Sequence, residues 1–163
     1  MGDDPEYREF MAMVDDHGTA LWAMLRRLCR HEQDAEDAFQ ETAVRVWRHL
    51  ASRPRLRNPR GWLMTIGYRV FLNQKERVRV NEELADPPDL RIDPPPEEAA
   101  RNEDAGRVHS ALEQLAEPVR EVLTLHYVGG LSLHETAASM GISVGTVKSR
   151  LHAGLNQVRR MLQ

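Results

Sequence analysis

One cysteine, Cys29, is all that 163 residues contain, so no internal disulfide can form. It follows Leu25 and Leu28 at helical spacing, which predicts a small buried hydrophobe. A metal or redox role would call for a CxxC or HxxxC companion, and His31 stands without one. Long apolar runs are missing too. Nothing approaches the ~20 residues that cross a bilayer, and Asp3, Asp4 and Glu6 carry the wrong charge for a signal peptide. The expected location is the cytoplasm, without membrane insertion. The 7 histidines (His17, His31, His49, His109, His126, His134 and His152) form no HExxH set, and His134-Glu135 is only its first fragment. A metal-dependent hydrolase is therefore disfavoured, and neither a cofactor nor a catalytic site is expected.

An excess of positive charge is also lacking, because the net charge is -3. Resolved by segment, however, the sign alternates. Glu32, Asp34, Glu36, Asp37 and Glu41 form an acidic block. Arg53, Arg55, Arg57, Arg60, Arg69, Lys75, Arg77 and Arg79 form a basic one, an acidic stretch follows, and the C-terminus is basic again. Such segregation predicts two basic surfaces for nucleic acid and an acidic one for a different partner. A hydrophobic content of 41% suffices for one ordinary domain or two small ones.

What is present is clearest from Leu131 to Gln163. Ser132 with Glu135 three residues on is a capping box that starts a helix. Gly141 ends it, since glycine tolerates the positive φ of a tight exit, and Ser143 caps the next helix. Small Ala137 lets the two helices cross closely. Val147, Leu151, Leu155, Val158 and Leu162 make one apolar stripe, while Lys148, Ser149 and His152 point elsewhere. Lys148, Arg150, Arg159 and Arg160 have no acidic neighbour from Ser143 onward, so this helix can approach phosphates. A basic helix alone would more simply be a solvated face. Together the signals describe a helix-turn-helix.

Upstream, the apolar period from Tyr7 to Leu28 predicts one long or kinked helix, with His17-Gly18 as a possible irregularity. Asp34 is expected to cap a second helix, with Ala35, Ala38, Phe39, Thr42, Val46 and Leu50 facing inward. Asn58-Pro59 starts a third helix to Arg79. Trp62, Leu63, Ile66, Val70 and Phe71 take its apolar positions, and Arg60, Tyr68, Arg69, Asn73, Gln74, Lys75 and Arg77 lie elsewhere. Aromatics among arginines suit unstacked bases, although Trp62 can equally be core. Residues 81–104 read as an acidic linker stiffened by Pro87, Pro88, Pro94, Pro95 and Pro96. Beyond it, Val108, Leu112, Leu115, Val119, Val122, Leu123 and Tyr127 predict two helices broken at Glu117-Pro118, and Gly129-Gly130 closes the second. The expected fold is all-α: a three-helix and a four-helix domain joined by an acidic, proline-rich linker.

The segments DAEDAFQETAVRVWRHL, NPRGWLMTIGYRVFLNQKER and LSLHETAASMGISVGTVKSRLHAGLNQVRRML stand in an order and at separations that span nearly the whole chain. In this the chain resembles a bacterial sigma-70 family factor of the extracytoplasmic-function (ECF) group. The resemblance implies a region 2-like domain over 1–80, a linker over 81–104 and a region 4-like domain over 105–163. It implies binding of core RNA polymerase through Asp37, Gln40 and Glu41. Recognition and melting of the minus-ten element would fall to Arg57, Asn58, Arg60, Trp62, Tyr68, Arg69, Asn73 and Lys75. Lys148, Ser149 and His152 would meet base edges of the minus-thirty-five element and Arg150 a phosphate. The implied partners are core polymerase, promoter DNA and an anti-sigma factor, for a protein that is monomeric when free. The competing reading is a stand-alone helix-turn-helix regulator, which would bind duplex DNA tightly without polymerase.

Two departures from the family pattern stand out. Many relatives carry Ala-Arg-Asn where this chain has Gly67, Tyr68 and Arg69. Where relatives often place an arginine after the recognition-helix histidine, it has Ala153 and then Gly154, which costs a helix about 1 kcal/mol relative to alanine.

Overall fold

A computed structural model describes residues 4–52, 56–84 and 103–163. Arg53, Arg55 and most of the expected linker, including its five prolines, lie outside the described residues. Seven α-helices follow in order among the described residues: α1 Pro5–Leu28, α2 Glu32–Leu50, α3 Pro59–Leu84, α4 Glu103–Glu113, α5 Glu117–Leu123, α6 Leu133–Met140 and α7 Val144–Leu162. A π-helical turn, Thr124–Val128, continues α5. None of these helices is long and apolar enough to cross a membrane. The all-α expectation holds.

Local chemistry starts most helices where the residues indicated. Asp4 accepts from the Glu6 amide at 3.0 Å and Pro5 opens α1, which runs unbroken through His17-Gly18. Asn58 Oδ1 accepts from the Gly61 amide at 3.0 Å and Pro59 opens α3. Two boundaries correct the reading above. The cap of α2 is His31, in extended conformation and without a side-chain capping bond. Asp34 lies inside the first turn, where its charge suits the positive end of the helix dipole. The third helix continues past Arg79 to Leu84 and α4 begins at Glu103, so both ends of the expected linker are helical.

Helices α1 to α3 enclose one core, built on Leu21, Met24, Leu25, Val46, Met64 and Val70. Cys29 is 8% exposed at its edge, as expected of a small hydrophobe. The approach of α1 to α3 is close at Gly67, where a Cβ would stand 2.6 Å from Leu21 Cδ1. A second core joins α5, α6 and α7 through Val122, Leu123, Ala137, Val147 and Leu151.

The two cores touch. Leu125 and Leu131 are 0% and 1% exposed and belong to the N-terminal cluster, while Met140 packs against both. Burying such a leucine contributes about 1.5–3 kcal/mol, so the small C-terminal lobe is steadied by the N-terminal one. Tyr127, expected on the α5 stripe, is instead 57% exposed. The wider π turn carries it out of phase with the 3.6-residue period.

Candidate nucleic-acid interface

The helix-turn-helix forms as its residues dictate. Ser132 Oγ accepts from the Glu135 amide at 3.0 Å, and Glu135 Oε2 accepts from the Ser132 amide at 2.8 Å, which completes the capping box. Gly141 takes φ 65° and ψ 34°, the left-handed conformation that turns the chain out of α6. Ser143 then caps α7 by accepting from the Thr146 amide at 3.1 Å. Val147 and Leu151 are buried, and Leu155 and Val158 pack at the edge of the same core.

Lys148, Ser149 and His152 are exposed on the other side of α7. Ser149 Oγ donates to Thr146 O at 3.1 Å and His152 Nε2 lies 3.1 Å from Asn156 Nδ2. Arg150 is half-buried and close enough for its charge to act on Tyr68. Gly154, a liability on helix propensity, has a packing reason. A Cβ there would meet Leu123 Cδ1 at 2.7 Å and Val119 Cγ1 at 2.8 Å, so the backbone of α7 lies directly on α5.

The residues expected at the minus-ten element divide into two sets. Arg57, Arg69 and Asn73 are exposed, and Trp62 is half-buried against the N-terminal core. The others meet the C-terminal lobe. Asn58 Nδ2 donates to Glu135 Oε1 at 2.7 Å. Arg60 Nε and Nη2 donate to the carbonyls of Gly129 and Val128 at 3.3 and 3.5 Å, against Gly130 in a φ 71° turn. Lys75 Nζ reaches Glu117 at 2.6 Å and Glu121 at 3.2 Å.

Tyr68 corrects the reading that placed it off the apolar face of α3. It is only 2% exposed, and its hydroxyl donates to Glu121 Oε2 at 2.7 Å. Burial, then the hydrogen bond to Glu121, pushes the phenol well above its usual pKa, so it remains a neutral donor. Desolvation opposes the Lys75 ammonium, but the bond to Glu117 and the charge of Glu121 outweigh it and the pKa rises. The Lys75 hydrogen bond in turn holds Glu117 below the usual carboxylate range.

Sequence reasoning missed Glu121. It is 5% exposed, yet no spacing distinguishes it from any acidic residue on a helix. On α2, Asp37 and Gln40 are exposed, with Gln33 Nε2 donating to Asp37 at 3.2 Å. Glu41 is half-buried and paired with Arg45 at 2.5 Å and Arg77 at 4.0 Å, so it faces α3 as much as solvent.

A helical chain ending in a helix-turn-helix with an uncovered basic face is, by fold and site, a DNA-binding transcription protein. Its family follows from the comparisons. The Sigma-70 region 2 model matches residues 13–79 and the Sigma-70, region 4 model matches residues 105–158. ECF RNA polymerase sigma factor SigL of Mycobacterium tuberculosis is 32% identical over 155 residues, covering 93% of this chain and 88% of that protein. ECF RNA polymerase sigma factor SigE of Mycolicibacterium smegmatis is 32% identical over 167 residues, covering 99% and 64%.

Among solved structures, RpoE of Bartonella quintana in complex with the anti-sigma factor NepR is similar at a TM-score of 0.71. It shares 26% identity, over 96% of this chain and 95% of that one. CnrH in complex with the cytosolic domain of CnrY gives 0.67 at 29% identity, over 96% and 88%. The chain belongs to the ECF group of the sigma-70 family. It is an alternative sigma factor, a DNA-binding subunit that directs RNA polymerase to promoters.

Proposed function

We propose that this sigma factor grips its promoter at two points while tethered to core polymerase, and that an anti-sigma factor controls it. Residues 1–80 act as the region 2 unit and 105–163 as the region 4 unit. On α2, Asp37, Gln40 and Glu41 meet polymerase. Arg57, Asn58, Arg60, Trp62, Tyr68, Arg69, Asn73 and Lys75 serve the minus-ten element. Unpaired bases stacked on protein rings offset an unpairing cost of a few kcal/mol, so melting needs no nucleotide hydrolysis. Lys148, Ser149 and His152 read the minus-thirty-five element while Arg150 holds phosphate. The protein carries no catalytic site of its own and works in the cytoplasm.

The observation that carries this reading is the exposed face of Lys148, Ser149 and His152, on a helix whose opposite side is buried. Control by an anti-sigma factor is supported by the likeness to RpoE, whose solved structure contains one. Transcripts sequenced after overexpression would map cognate promoters. Run-off transcription from one of them should need core polymerase and this protein together. Failure to capture core polymerase in a pull-down rejects the reading.

A further inference from the structure

Along the seam between the two lobes the polar groups are matched, with Lys75 on Glu117 and Glu121, Tyr68 on Glu121 and Asn58 on Glu135. One stretch of the seam breaks that pattern. Where the C-terminal end of α1 meets α4 and α5, a cavity of about 60 Å³ is lined by Arg26, Arg27, Arg30 and Arg120, with His109 and Glu113 beside them. The first three arginines come from α1 and the residues just after it, and Arg120 comes from α5 in the opposite lobe.

Part of this has an ordinary explanation. Arg26 and Arg27 stand in the last turn of α1, where cations suit the negative end of the helix dipole, and Arg27 Nη1 donates to Ala23 O at 3.0 Å. That accounts for two arginines and leaves Arg120, which a different helix carries up against them. Interfaces set unlike charges face to face, and like charges so placed repel. The one carboxylate in the lining, Glu113, is already engaged by His109 Nε2 at 3.2 Å. Glu117 feels the charges of Arg30 and Arg120 but is bonded to Lys75. Among the described residues none of the four arginines is in an ion pair, and Arg120 Nε is buried without a hydrogen-bond acceptor. An unpaired buried donor costs stability, and a bound ion is one of the few things that explains it.

We propose that this cavity is a binding site for one phosphate group, assembled from both lobes, and that its ligand is a small phosphate-bearing anion. The chemistry is that of the guanidinium fork, whose parallel N–H groups match two oxygens of a phosphate at a time. A tetrahedral anion can offer oxygens to several such forks at once, whereas a planar carboxylate serves one well. Size points the same way. A single water needs about 10–15 Å³ of such space, so the cavity takes one phosphate group and excludes a nucleobase or a peptide segment. Buried Leu28 and Cys29 complete an apolar wall, and charge-assisted bonds strengthen where water is kept away. Inorganic phosphate and the terminal phosphate of a nucleotide share this chemistry, the nucleotide keeping its sugar and base outside. Because each lobe supplies part of the site, the bound anion adds to the stability of the arrangement in which the lobes meet.

The test is calorimetric titration of the full chain with inorganic phosphate and, separately, with ATP, at an ionic strength held constant with chloride. Wild type should bind one equivalent saturably, and its thermal midpoint should rise with ligand concentration as a single site requires. Arg30→Gln, at an exposed position that leaves the fold intact, and Arg120→Gln should each weaken binding by about tenfold or more. Should Arg120→Gln fail to fold, Arg120→Lys keeps the charge and removes the fork, and it should weaken binding by a smaller factor. Phosphate also stabilises proteins by exclusion from their surface. That effect persists in the variants, so the difference from wild type is the readout.

Equal binding by wild type and the variants, or a midpoint that rises without saturating, overturns the proposal. A loss in Arg30→Gln with none at Arg120 places the anion on α1 alone and overturns a site shared between lobes. Displacement of bound phosphate by an unphosphorylated duplex of arbitrary sequence assigns the arginines to nucleic acid and overturns it as well. Where both variants lose binding, tighter binding of ATP than of phosphate identifies a nucleotide as the source, and equal or weaker binding identifies the free ion.

Discussion

Asn58 and Glu135, 77 positions apart, join the N-termini of two helices through a single hydrogen bond of 2.7 Å. Each already caps its own helix: Asn58 Oδ1 holds the Gly61 amide and Glu135 Oε2 holds the Ser132 amide. Asn58→Asp keeps the acceptor for α3 but loses the donor and faces a second carboxylate. Asn58→Ala loses both functions. We expect the alanine variant to lose about 0.5–2 kcal/mol from the α3 cap in urea denaturation. The aspartate variant should retain the cap while still weakening the seam, which closer spacing of its midpoint to wild type would report.

Gly154→Ala should destabilise the protein although alanine is the better helix former. The gain of about 1 kcal/mol in propensity is set against a Cβ forced to 2.7 Å from Leu123 and 2.8 Å from Val119. Overpacking of this kind costs about 1–3 kcal/mol. A lower midpoint in chemical denaturation is the expected result, and a raised one would show that α5 yields easily.

Cys29 should resist thiol reagents in the native protein. Burial pushes its thiol up to about 12, helped by the nearby charge of Asp34. At pH 8 the native chain should react with a chromogenic disulfide far more slowly than the same chain in guanidinium, where the ordinary thiolate fraction returns.

The seam sets opposite limits in acid and alkali. Tyr68 has a folded pKa above its unfolded one, so its contribution is complete below about pH 10 and is lost as pH rises through the folded value. Glu117 is shifted down, so its contribution is present above its unfolded value of about 4.3 and fades as pH falls through the folded one. Thermal midpoints measured across this range should fall at both ends. Tyr68→Phe should lower the whole curve by about 1–3 kcal/mol, because Glu121 loses a donor, and should flatten the alkaline limb.

Lys148→Ala should weaken the upstream footprint of the holoenzyme. A good base-edge contact is worth about 1–3 kcal/mol, or roughly fivefold to 150-fold in affinity. An unchanged footprint would remove Lys148 from the interface.

Where a signal was local, the residues were readable in advance. Ser132, Glu135, Gly141 and Ser143 define the helix-turn-helix within a dozen positions, and Asn58-Pro59 starts α3 where it should. Asp34 is the better capping residue by type, yet the N-cap of α2 falls at His31 because the chain there already has the extended geometry that precedes a helix. The last turns of α3 are polar and carry no apolar stripe to mark them in the sequence; helix propensity takes them on to Leu84.

The seam was illegible for a different reason. Tyr68 and Glu121 are 53 positions apart, and no periodicity links them. A tyrosine among arginines reads as an exposed side chain until the acid that receives its hydroxyl is placed beside it. The exposed character of Lys148, Ser149 and His152 was readable because the stripe opposite them is regular.

Gly154 has a geometrical consequence for the helix that carries those three residues. With backbone seated on Val119 and Leu123, α7 is notched like a key, and its roll about its own axis is set from the side that packs on α5. Lys148, Ser149 and His152 lie roughly opposite that notch, so the angle at which they are offered is decided by two aliphatic side chains of α5. A bulkier residue at the notch would rotate or lift those three residues as a unit, changing how they are presented without altering any of the three.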